Sequence, residues 1–175
     1  MKKLIVILFL VFTYNLFAQM PDFSVEVKTE MQKVEVMAGK WEGKGWRQNP
    51  NGEKSFSNVS ENLYWKLDGT ILVMEGVGKT AEGNVVHNAF GVLSYNPFQK
   101  KYRMSSQLSN GMSTDANFEV IESNKSFKWW FEDGRGGTIR YTINMDGKNW
   151  SEIGDYSRDG NNWSKFFEMN LNKVE

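Results

Sequence analysis

Three ionisable side chains fall among apolar neighbours in this sequence. Glu61 alternates with Val59, Leu63 and Trp65, Glu152 with Trp150 and Tyr156, and His87 with Val85, Ala89, Leu93 and Tyr95. Alternate residues of a strand share a face, so each of the three is placed on an otherwise apolar surface. A carboxyl or imidazole there needs a partner, water or a ligand. Within reach of one another, the two glutamates and the histidine could exchange protons as acid and base. Singly, each could orient a bound molecule. Two other placements stay open: Glu61 and Glu152 facing solvent, and His87 as a structural residue.

Other chemistries find no support. There is no nucleophile elbow, phosphate-binding glycine loop or paired-histidine metal motif. Gly134-Arg135-Gly136-Gly137 reads as a hairpin turn. One histidine and no cysteine argue against a structural zinc site, and no carboxylate spacing points to calcium.

The elements that would position these residues are nearly all strands. Turn signals such as Asn49-Pro50-Asn51-Gly52, Leu67-Asp68-Gly69 and Asp146-Gly147-Lys148 recur from residue 49 onward. They divide the chain into ten strands: 40–48, 55–66, 70–79, 84–95, 100–108, 112–122, 125–132, 137–145, 149–158 and 162–172. Short turns pair each strand with the one before it, giving an all-β antiparallel up-and-down meander. Closure into a barrel removes the exposed edges. Met31, Val34, Met37 and Ala38 recur at helical spacing before Gly39, which predicts a short helix over 26–38 capping one mouth.

Alternation also sorts the faces. Ala116, Phe118 and Val120 are expected inside, with Phe127, Trp129 and Phe131, and with Ile139, Tyr141, Ile143 and Met145. The last strand offers Trp163, Phe167, Met169 and Leu171, interrupted by Lys165. Gly39-Lys40-Trp41-Glu42-Gly43-Lys44-Gly45-Trp46 opens the first strand. Gly43 and Gly45 leave one face bare, which lets a strand bend sharply or a segment approach closely. Trp41 and Trp46 point to opposite faces, one plugging the barrel end and one covering its outside.

The chain starts Met1-Lys2-Lys3, runs apolar from Leu4 to Phe12 and reaches Leu16-Phe17-Ala18-Gln19. That is the order of a secretory signal peptide over 1–18, too short in its apolar run to span a bilayer. The expected mature chain is one domain over 19–175, exported to the periplasm or secreted and not an integral membrane protein. No cysteine follows the apolar run for lipid attachment, and no disulfide is available. The whole chain balances 21 basic against 21 acidic residues, with no basic stripe for nucleic acid. Asn58, Asn124, Asn149 and Asn162 each begin an Asn-x-Ser sequon, meaningful only in a glycosylating host.

The Gly-x-Trp opening resembles the signature of the calycins, the lipocalin-like barrels, and its Gly-x-Trp-x-Gly-x-Gly form resembles the nitrobindin-like branch. Val86-His87-Asn88-Ala89-Phe90-Gly91-Val92-Leu93-Ser94-Tyr95 is similar to the branch's strand that carries a haem-facing histidine. Over residues 31–172 the chain resembles the bacterial DUF1579 family. The carrying residues are the opening motif, Gly91-Val92-Leu93-Ser94-Tyr95, and Trp150-Ser151-Glu152-Ile153-Gly154 through Trp163 to Met169. The resemblance implies a calycin-like barrel. Haem binding in the nitrobindin-like pattern needs a proximal histidine near the C-terminus, and residues 149–175 hold none, so no haem cofactor is expected. Tyr141 or Tyr156 could serve as axial oxygen ligands in principle, but neither occupies the position implied. The lipocalin-like pattern also implies a late-strand cation across Trp41, for which Arg140 and Arg158 are candidates.

The expected function is binding of a small apolar or amphipathic molecule inside the barrel. The cavity-lining candidates are Trp41, Glu61, His87, Met104, Trp129, Tyr141, Glu152 and Tyr156. The alternatives are a filled-core barrel that binds another envelope protein, and a barrel enzyme using Glu or His acid–base chemistry. No catalytic or metal-ligating residue is assigned.

Overall fold

The computed structural model describes residues 21–175. The expected signal peptide lies outside the described residues. An α-helix, α1, spans Ser24–Met31, and a 3₁₀-helix follows at Gln32–Met37. Ten strands come next: β1 Gly39–Gln48, β2 Lys54–Lys66, β3 Ile71–Lys79, β4 Val85–Asn96 and β5 Lys101–Leu108. The rest are β6 Ser113–Glu122, β7 Ser126–Glu132, β8 Thr138–Met145, β9 Asn149–Ser157 and β10 Ser164–Lys173. Every strand pairs antiparallel with its sequence neighbours, and β10 pairs with β1 to close a barrel. This is the ten-stranded meander that turn spacing predicts.

The helical stretch is α-helical only to Met31. Its buried residues Met31, Val34 and Met37 are three apart, and a 3₁₀-helix lines up every third side chain on one edge. All three are essentially inaccessible and belong to the core that fills one end of the barrel. Asn124, in the β6–β7 turn at positive φ, locks the segment. Its Nδ2 donates to the Gln32 carbonyl at 3.0 Å and its Oδ1 accepts from the Val36 amide at 2.9 Å. Its own amide donates to the Lys33 carbonyl at 2.8 Å. Tyr102 on β5 donates to the Glu30 carbonyl at 2.8 Å.

Trp41 is the plug at this end, fully buried. Its Nε1 donates to the Met37 carbonyl at 2.9 Å, which serves the end of the 3₁₀-helix, and its ring meets Trp150 edge-on at 5.7 Å. The cation across Trp41 is neither Arg140 nor Arg158. Lys173 of β10 places Nζ 5.2 Å from the ring centroid because β10 pairs directly with β1 in this register. Arg140 instead lies 3.7 Å from the Trp163 ring on the outer wall. Trp46 covers the outside, with Lys54 Nζ 3.6 Å from its ring centroid.

Two bulges correct the face assignments. One interrupts the pairing of β10 with β9 between Lys165 and Phe167. Each bulge adds one residue and reverses the alternation beyond it. Lys165 therefore faces out and pairs with Glu168 at 2.6 Å, and Trp163 leaves the interior set. The other lies between Gly78 and Lys79 of β3, opposite β4. Val85 pairs with Lys79 and is 56% exposed, so it does not share the face of His87.

Candidate functional site

The inward side chains change in exposure along the barrel axis. At the helix end Trp41, Leu72, Leu93 and Phe127 are fully buried, with Leu63 and Leu171 nearly so. In the middle Val59, Met74, Trp129 and Tyr141 are partly exposed although they lie on the inner face by register. Toward the other mouth Arg47 and His87 are exposed. Packing thus fills one half of the barrel and leaves the other half open to solvent.

All eight candidate residues lie on the inner face. Trp41 is in the filled end. Met104, buried between its partners Leu93 and Ala116, lies on the opposite wall from β9. Trp129 and Tyr141 form an aromatic wall, stacked at 4.0 Å between centroids with 8° between planes, and Phe131 continues it at 5.9 Å from Trp129. Tyr156 lies above, its ring against Gly137, where an added Cβ would meet Cε2 and the hydroxyl oxygen at 2.4 Å. His87 sits near the open mouth beside Gly78 and Ser57.

Glu61 and Glu152 are brought to one region. Glu152 on β9 is buried, and it accepts from Trp129 Nε1 at 3.0 Å and Trp150 Nε1 at 3.2 Å. Glu61 on β2 is paired with Trp41 of β1 and lies near enough to feel the Glu152 charge, while Met169, the partner of Glu152, and Val59 lie against Gly45 between the two walls. The Glu61 carboxylate rests on Gly76 of β3: a Cβ added there would lie 2.6 Å from Oε1 and 2.7 Å from Oε2. Among the described residues no side chain or backbone group hydrogen-bonds it, and neither glutamate joins an ion pair. It is walled in on almost every side yet keeps some accessibility, directed at the open half.

Burial disfavours the charged carboxylate, and a second carboxylate nearby disfavours it further. Burial first, then the Glu152 charge, push the Glu61 pKa up to about 8. Burial pushes Glu152 up to about 7, held back by its two indole donors. Tyr141 is raised well above the usual phenol range, mainly by burial and then by Glu152, so its phenol stays neutral. His87 is lowered by desolvation and by the Arg47 charge. At neutral pH the interior holds a Glu61 carboxyl that is mostly protonated, a Glu152 carboxyl near its midpoint, a neutral imidazole and a guanidinium at the mouth.

Three features were not singled out from sequence. Gly76 cradles Glu61, and Gly154 cradles Tyr141, whose Cε1 would lie 2.8 Å from an added Cβ. Arg47 faces inward, in step with Trp41, Gly43 and Gly45. The signal was present: Gly76-Val77-Gly78 repeats the alternating glycines of β1 and marks a second bare inner face.

Haem does not fit these residues. His87 is the sole histidine in the sequence and lies by the exposed mouth, and β9 and β10 offer no second one. Among the described residues no three His, Cys, Asp or Glu side chains group as a metal site. None of the described helices is long and apolar enough to cross a membrane. Two clefts, of about 570 and 380 Å³, lie outside this region. One is at the helix rim beside Glu30, Lys33, Tyr102 and Trp130, and the other is on the wall of β4, β5 and β6. Neither includes Glu61, His87 or Glu152.

No family model matches the chain, and no curated protein matches it. Solved structures do. Rv2717c from M. tuberculosis superposes with a TM-score of 0.61 at 11% identity, over 85% of this chain and 98% of that one. The S-type phycobiliprotein lyase CpeS from Guillardia theta superposes at 0.54 and 11%, over 89% and 98%. A DUF3598-family protein of unknown function from Nostoc punctiforme PCC 73102 gives 0.54 and 6%, over 81% of this chain and 49% of that one. At these identities the likeness is one of fold, and the fold is the calycin-like ten-stranded barrel.

Proposed function

We propose that this chain is an exported lipocalin-like barrel that takes a small apolar or amphipathic molecule into its open half. One observation carries the reading. The inner face passes from a packed end to a half where Met74, Trp129 and Tyr141 remain accessible above an unpartnered carboxyl. An aromatic wall with a few convergent polar groups is the usual make-up of a ligand site. The phycobiliprotein lyase likeness supports the compatibility of this fold with a small-molecule partner. The DUF1579 likeness of the motif residues and the leader over residues 1–18 belong to the same reading.

The test uses N-phenyl-1-naphthylamine, a neutral apolar fluorophore, excited by energy transfer from tryptophan. Saturable one-to-one binding, blocked by Ala89→Trp on the inner face, is the expected result. Binding that ignores this substitution, or no saturable binding, counts against an interior site. Export is tested by the intact mass of the envelope-fraction protein, which should start at Gln19. A full-length membrane-anchored species would refute it.

A barrel enzyme is the second reading, favoured by two near-neutral carboxyls facing one region. Small molecules co-purifying with the protein separate the two. A molecule recovered unchanged after incubation supports carriage; conversion that Glu61→Gln abolishes supports catalysis.

A further inference from the structure

We propose that Glu61, backed by Glu152, anchors the bound molecule by a protonated amine, so that the ligand class is a cationic amphipath. This rests on the interior-binding reading above and names its chemistry. The geometry gives three reasons. The Glu61 carboxylate lacks a protein donor among the described residues, whereas Glu152 already has two indole N–H groups. Gly76 holds it in place, since any side chain at that position would displace it. The interior also lacks a complementary cation at this depth.

The charged and titratable groups facing Glu61 make the last point. From β9 comes the Glu152 carboxyl, from β8 the neutral Tyr141 phenol, and from β4 the neutral His87. Arg47 of β1 stands two residues beyond Gly45, at the exposed mouth. Trp41 from β1, Met74 from β3 and Met169 from β10 are uncharged. Lys44 and Glu42 point outward, in alternation with the inner glycines. Lys173 of β10 lies beyond the Trp41 ring at the helix end, its Nζ donating to the Ala38 carbonyl, so two carboxyls with a cation only at either end form a site that is short of positive charge. A ligand ammonium supplies it, donating N–H bonds to Glu61 while an alkyl or aryl body lies along Trp129, Tyr141 and Phe131. A carboxyl that titrates near neutrality ionises at small cost when a cation arrives. An anionic headgroup would meet repulsion there.

The experiment compares dodecylamine, dodecanol and dodecanoate below their micellar concentrations at pH 7.5, by displacement of N-phenyl-1-naphthylamine from the full-length mature protein. Dodecylamine is expected to bind at least about tenfold tighter than the other two, and Glu61→Gln to weaken it by about ten- to a hundredfold, the range for a charge-assisted hydrogen bond. The same variant should keep its affinity for dodecanol and for the fluorophore, which also shows that it is folded. Calorimetry in two buffers of different ionisation heat should show proton release on amine binding by the parent, reduced in Glu61→Gln. Equal binding of all three, a preference for dodecanol or dodecanoate, or indifference to Glu61→Gln overturns the amine anchor and leaves the interior site standing. If neither the fluorophore nor any of the three binds saturably, the interior site falls, and the anchor with it.

Discussion

Glu61→Gln should make the protein more stable, and only on the alkaline side. The carboxyl has a folded pKa of about 8 against an ordinary value of 4.5. The unfolded chain therefore gives up its proton first as pH rises. Between those two values the native state binds more protons than the unfolded state, so stability falls with pH. The loss begins near the unfolded pKa and is complete above the folded one. Each factor of ten in proton affinity is worth about 1.4 kcal/mol, which sets a ceiling of about 5 kcal/mol for Glu61 alone. The carboxyl opens on water in the upper barrel and shares its field with Glu152, so about 2–3 kcal/mol at pH 9 is the working figure. Glutamine keeps the size of the side chain and its fit over Gly76 without a charge. Urea unfolding from pH 4 to 9 should show parent and variant within about 0.5 kcal/mol at pH 4 and diverging steadily from about pH 5 until the folded pKa is passed. Glu152, raised mainly by its own burial, would leave the variant a shallower slope of the same sign. An Glu61→Gln protein less stable than the parent at pH 9, or offset equally at every pH, would mean that Glu61 has a partner or is solvated like a surface carboxylate.

Other substitutions probe the frame around the pair. Trp41→Ala removes a fully buried ring and its bond to the Met37 carbonyl, and should cost about 3–5 kcal/mol in urea unfolding. Asn124→Ala loses two side-chain bonds to the 3₁₀-helix and a residue tolerant of positive φ; a cost of about 1–3 kcal/mol and faster proteolysis within residues 24–37 are expected. Trp129→Phe leaves Glu152 with one indole donor, so its pKa should rise further, seen as a shifted carboxyl titration by NMR. Gly76→Ala puts a methyl where the Glu61 oxygens lie, and should displace the carboxylate and weaken amine binding while dodecanol binding persists.

The barrel was legible because its evidence is local and repeated. Each Asp-Gly or Asn-Gly turn joins neighbouring strands, so pairing order follows sequence order and closure of β10 on β1 follows from edge removal. The errors occurred where one inserted residue reverses alternation. Lys165 looked like a charge in an apolar row and Val85 like a neighbour of His87, because a bulge is a property of the partner's register and not of the strand's own pattern. The cation over Trp41 was missed for a related reason. Lys173 reaches that ring only through the β1–β10 pairing, between the two ends of the described barrel, which periodicity cannot register.

The site was half legible. Alternation places Glu61 and Glu152 inward, but only the closed barrel brings the charge of one to bear on the other. Four glycines seat the groups around them: Gly43 takes the β10 backbone, Gly45 the Met169 and Val59 side chains, Gly76 the Glu61 carboxylate and Gly154 the Tyr141 ring. Each position holds a glycine that keeps a strand close or a side chain seated. Glycine inside a strand weakens it, through lost packing and greater chain freedom. Bare positions grouped around two carboxyls are thus a structural cost concentrated at one place. Its physical consequence is a carboxylate seated on bare backbone at Gly76, with no donor of its own among the described residues.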